Sequence, residues 1–168
     1  TELQQKLVEL TKKQFDNIAN RYERKIQNLG YDTSYYDNKI AEIEASGAKI
    51  NRSYYDAKKS NNNRILSQYK AELSALEKKL PSIKKGTDEY YDALEAIQAC
   101  KDSISGCVQT TYELNNAINQ LNFDRYENIS EKISRIMTEQ DFLQGLFSHE
   151  KTVDDETGNF TDAGLAKL

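Results

Sequence analysis

Apolar side chains return every three to five residues through the opening of the chain, at Leu3, Leu7, Leu10, Phe15, Ile18, Tyr22, Ile26 and Leu29. That spacing lines one side of a helix and predicts its end just before Gly30. Ile40 and Ile43 carry a similar face after Thr33 and Ser34, and Gly47 stands where a C-terminal glycine would stop a short second helix. From Ser53 the pattern resumes and tightens to Leu66, Tyr69, Leu73, Leu76 and Leu80, the three-four alternation of a coiled-coil seam, until Pro81. A longer seam follows through Tyr90, Ala93, Ile97, Cys100, Ile104, Cys107, Thr111, Leu114, Ile118 and Leu121. It then changes phase, as a stutter would, to Ile129, Ile133, Ile136 and Leu143.

The pattern predicts four helices, near 2–29, 34–46, 53–80 and 87–147, joined by short turns that reverse the chain. The expected fold is all-α: elongated antiparallel helical hairpins, or a coiled-coil-like bundle, with the third helix against the first half of the fourth. The lone Gly47 is the break on which the count of helices depends, because an isolated glycine is sometimes tolerated inside a helix. Residues 148–168 read as an acidic loop and the start of a further helix, with Thr161 and Asp162 as its cap.

One punctuation motif recurs: Tyr35-Tyr36-Asp37, Tyr54-Tyr55-Asp56 and Tyr90-Tyr91-Asp92. Each follows a glycine (Gly30, Gly47, Gly86) and a hydroxyl residue (Ser34, Ser53, Thr87). The glycine suits a left-handed turn, the hydroxyl a helix cap, and the acid the positive end of the helix dipole. Of each tyrosine pair, one ring is expected to pack inward and the other to lie along a neighbour or meet water.

Composition narrows the picture. Only 38% of the 168 residues are hydrophobic while 30% are charged, which suits narrow buried stripes and not a deep core. The 27 acidic and 23 basic residues are interspersed, leaving no basic face for phosphates, so sequence-specific nucleic acid is not an expected partner. No run is apolar enough to cross a bilayer and no signal peptide opens the chain, so no membrane contact is expected of it. Thr1 in place of Met, and a start already helix-patterned, point to a fragment of a longer parent.

Candidate chemistry is thin. Cys100 and Cys107 lie seven residues apart on one helix, about 10 Å, beyond disulfide reach and without further ligands at zinc-site spacing. They read as small apolar seam residues, and their reduced state suits an intracellular assembly. His149, the sole histidine, reads as a cation at a helix C-terminus, since Ser148 beside it lacks any nucleophile-elbow setting. The loop Asp154 to Asp162 misses the calcium-loop register, with Gly158 fifth and Leu165 twelfth. Glu42 with Glu44, and Glu127 with Glu131, sit among cations as solvated helix faces. No catalytic residue, cofactor site, metal site or small-molecule substrate is therefore expected.

Several landmarks in order resemble the helical region of tail tape measure proteins of phages and prophages of gut Firmicutes. Phe15-Asp16-Asn17-Ile18 with Tyr22-Glu23 is similar to the opening of that family. Ile43-Glu44-Ala45 with Gly47, then Ser53-Tyr54-Tyr55, resembles its Ala-x-Gly and Tyr-Tyr segment. Gly86-Thr87-Asp88-Glu89-Tyr90-Tyr91 resembles its Gly-Ser-x-x-Trp-Tyr turn, with Tyr90 in place of Trp. Ile133-Ser134 with Ile136, Asp141-Phe142-Leu143, Glu150-Lys151 and Gly158-Asn159-Phe160-Thr161-Asp162 with Gly164 continue the likeness to about residue 166. Cys100, Cys107 and a shortened turn at Ser82 to Lys85 depart from it. The resemblance implies a virion structural protein that helps set tail length and assemble the tail tube. Its expected partners are further copies of itself, tail-tube proteins and chaperones, and its expected location is the virion tail, after assembly in the host cytoplasm. The alternative is a helical interaction module, an adaptor or coiled-coil factor, presenting tyrosines to a protein partner.

Overall fold

A computed structural model describes residues 1–149, with side chains through Gly145. The chain is all-α. Helix α1 spans Glu2–Ala45, α2 Arg52–Lys79 and α3 Asp88–His149, with one 3₁₀ turn, Leu80–Ser82, after α2. No strand occurs among the described residues. The expected acidic turn at Asp154 to Asp162, and the side chain of His149, lie outside the described residues.

The break expected at Gly30 is absent: helices drawn near 2–29 and 34–46 are one helix, α1. Gly30 keeps helical backbone, and Ser34, expected as a cap, instead donates its hydroxyl to the Gly30 carbonyl at 3.1 Å inside the helix. The physical reason is a continuous seam. Ile26, Leu29, Thr33, Tyr36, Ile40 and Ile43 are all half-buried and follow a strict three-four alternation, so packing carries the helix through a glycine that costs only about 1 kcal/mol.

The two other turns form where glycine is required. Gly47 and Gly86 hold φ of 73° and 80°, the left-handed region, and no other described residue has positive φ. Asn51, and not Ser53, caps α2: its side-chain oxygen accepts from the Ser53 amide at 3.0 Å, so Ser53 lies in the first turn. Pro81 sits in the first turn of the 3₁₀ segment, where its missing N–H costs nothing. Thr87 caps α3, its hydroxyl accepting from the Tyr90 amide at 3.2 Å and donating to the Lys84 carbonyl at 2.6 Å.

Residues 1–119 form one compact unit in which α2 is the middle element. On one face, Lys58 pairs with Asp37 at 2.5 Å, Asn61 bonds Leu29 and Thr33, and Lys79 bonds Gln14, so α2 runs antiparallel to α1. On the other, Asn62 bonds Cys107 and Thr111 while the Cys100 thiol donates to the Tyr69 carbonyl at 3.3 Å, so α2 is also antiparallel to the first part of α3. Val8, Phe15, Leu76, Ile83, Ala93 and Ile97 make the core where all three helices meet. Ile83, in the short connection between α2 and α3, is 1% exposed and plugs the end of that core.

Residues from Gln120 onward form a second unit. Its described part is helical, and Phe123, Tyr126, Ile129, Ile133, Ile136, Met137, Phe142 and Leu143 are all exposed along it. No helix among the described residues is long and apolar enough to cross a membrane.

Candidate functional site

The buried polar chemistry of the first unit centres on α2. Asn61 and Asn62 are adjacent, hence about 100° apart around the helix, and each is aimed at a different neighbour. Asn61 donates both amide hydrogens, to the Leu29 carbonyl at 2.7 Å and the Thr33 hydroxyl at 2.8 Å. Asn62 donates both of its own, to the Cys107 carbonyl and the Thr111 hydroxyl, each at 2.9 Å. The two pairs pin α2 in register against α1 and α3, since sliding either neighbour by one turn strands two buried donors.

Three turns further along α2, Glu72 is 4% exposed and its Oε2 has no hydrogen-bond partner. It lines a recess of about 420 Å³ between the three helices. Ala19 and Ile26 of α1 with Ala96 and Ala99 of α3 form apolar walls, small enough to leave the space open. Glu23 of α1 brings a second carboxylate. Burial, and then the charge of Glu23, raise the Glu72 carboxyl to about 7. Tyr69 and Cys100, also on the recess, are raised as well, each first by burial, Cys100 to about 11. Both stay neutral near pH 7, where the Glu72 carboxyl titrates.

Among the described residues no group of three or more His, Cys, Asp and Glu converges as a metal would require. Cys100 and Cys107 are unbridged and buried at seam positions, and burial raises both thiols. No protein-family model, curated protein or solved structure matches this chain.

The remaining seam residues divide by depth. Leu76, Ile97 and Ile118 are buried with the two cysteines, while Leu66, Leu73, Leu80, Ile104 and Leu121 are half-buried at the edges of the same stripe. The tyrosine pairs behave in two ways. At Tyr35–Tyr36 and Tyr90–Tyr91 one ring is exposed and its neighbour half-buried, packed edge to face with centroids 5.4 and 6.1 Å apart. Tyr54 and Tyr55 are both half-buried. Asn61, Asn62 and Glu72 are the residues that sequence reading passed over.

Proposed function

We propose that this chain is a structural segment of a phage tail tape measure protein, working through helical length and contact faces and not through catalysis. The observation that carries the reading is the apolar stripe of the second unit. Tyr126, Ile129, Ile133, Ile136 and Leu143 stay exposed at coiled-coil spacing on a helix with no other visible task. Exposed apolar surface on this scale calls for a partner, either a second copy of the chain, a tail-tube protein or an assembly chaperone. The order of motifs resembling tape measure proteins gives the reading its specific form, with the virion tail as the location.

Each helical residue adds about 1.5 Å of length. An in-frame deletion of residues 123–143 from the parent gene, in a phage that still assembles, should shorten the tail by about 30 Å. Electron micrographs of purified tails measure this directly, and tails of unchanged length would sink the ruler role. A helical interaction module is the second reading, favoured by Tyr31 and Tyr35, which lie one turn apart on α1 and are 64% and 55% exposed. Under it, replacing both by Ala abolishes capture of a protein partner while tail length is unaffected.

A further inference from the structure

We propose that the recess between α1, α2 and α3 binds a small linear diamine, its ammonium groups held by Glu72 and Glu23 and its methylenes laid against the alanine walls. The first ground is the orphaned oxygen. Glu72 Oε2 is buried with no donor from the described residues, and burying a carboxylate away from a protein partner favours a proton or a cation beside it. Among the described residues no cation pairs with Glu72 or Glu23.

The second ground is the shape and lining of the space. Its volume of about 420 Å³ falls within the range of small-molecule sites and accommodates a chain of a few methylenes with water beside it. A divalent metal is disfavoured, because among the described residues no three His, Cys, Asp or Glu donors converge as a metal requires, and the nearby Cys100 thiol is protonated and donates to the Tyr69 carbonyl. A small hydrated alkali ion would leave the alanine and isoleucine walls unused. Glu72 lies at the buried end while Glu23 is exposed, so the recess presents two anionic groups at different depths. Two cationic ends on a short apolar chain match that arrangement better than one.

Binding is linked to protons. The titratable groups facing Glu72 are Glu23 from α1, Tyr69 on α2 itself and Cys100 from α3; the phenol and thiol are both raised and remain neutral across the working range. The diamine therefore competes with the proton on Glu72, and it binds more tightly at pH 8 than at pH 5.

The test is calorimetric titration and thermal melting of the whole 168-residue chain with 1,4-diaminobutane at pH 8. Controls are 1,4-butanediol, which keeps the methylenes, and sodium chloride at matched ionic strength. The diamine should raise the melting midpoint where diol and salt do not, and the rise should vanish at pH 5. Glu72→Gln, a neutral near-isostere, should fold and lose roughly tenfold or more in affinity. Ala99→Leu, which crowds the mouth of the recess and leaves both carboxylates in place, should also weaken binding. A midpoint shift equal to that of salt, or diamine binding that survives in both variants, overturns the proposal.

Discussion

Glu72 is the most deeply buried ionisable group among the described residues, and its proton couples to folding. Its carboxyl rises from 4.5 to about 7 in the folded chain, so between these values the folded state holds a proton that the unfolded state has released. Stability is highest below about pH 4.5 on this account, falls as pH climbs toward 7, and is flat above. The loss is on the order of 1–2 kcal/mol once water entering the recess is allowed for. Urea titrations from pH 5 to 8 should show that decline in the native protein and none of it in Glu72→Gln. The cysteines allow a second reading at the same scale. Because burial raises both thiols, with Cys100 at about 11, iodoacetamide at pH 8 should label folded protein roughly 100-fold more slowly than urea-unfolded protein. Equal rates would mean the seam around Cys100 and Cys107 is open. Neither Glu72 nor the asparagines were legible in advance, because polar residues inside a charged helix carry no sign of which face they occupy. The one signal was register. Asn62 falls four residues before Leu66 on the α2 seam, and Asn61 and Glu72 fall on a second seam with Ile65 that only the presence of two neighbours reveals.

At the scale of elements, the contrast between Gly30 and Gly47 is the most informative. The sequence pattern predicts a stop at both, and only Gly47 adopts a conformation that other residues resist. Gly30→Ala should stabilise the protein by about 0.5–1 kcal/mol, since an added Cβ meets nothing within 4 Å and the helix gains an alanine. Gly47→Ala should destabilise by about 1 kcal/mol through its left-handed backbone alone. Denaturant midpoints of the two variants should therefore move in opposite directions. Thr33 and Tyr36 explain why the sequence reading stopped too early: a hydroxyl residue and a ring taken as turn furniture complete the seam between Leu29 and Ile40. The α2 and α3 boundaries were legible because Pro81, Gly86 and Thr87 act through backbone chemistry that no packing can override. Ile83 was missed because a single apolar residue in a short connection has no period to betray it.

For the molecule as a whole, the all-α class and the hairpin of α2 with α3 could be read from periodicity alone. The place of α2 between two partners could not, since its second face is lined by Lys58, Asn61, Gln68 and Glu72 and looks like a solvated surface. The second unit gives the prediction at this scale. If its stripe joins copies of the chain, sedimentation at rising concentration should show a mass above 19.3 kDa, and Ile133→Lys with Ile136→Lys should restore the monomer without altering the melting of residues 1–119. A monomer at every concentration would assign the stripe to a different protein.

The central position of α2 also sets a timetable during synthesis. Its contacts to α1 are complete once the ribosome has released residues to about Leu80, while Leu66 and Leu73, which face α3, wait for about 20 to 27 residues more, until Cys100 and Cys107 have been made. At ordinary translation rates of about 5–20 residues per second, that leaves Leu66 and Leu73 uncovered on that side for roughly 1–5 s. A nascent hairpin with one bare side for that long is a target for trigger-type chaperones and for premature pairing with a neighbouring chain on the same message. The Asn62 amide, which finds its acceptors only on Cys107 and Thr111, is the feature that rewards waiting for the correct partner.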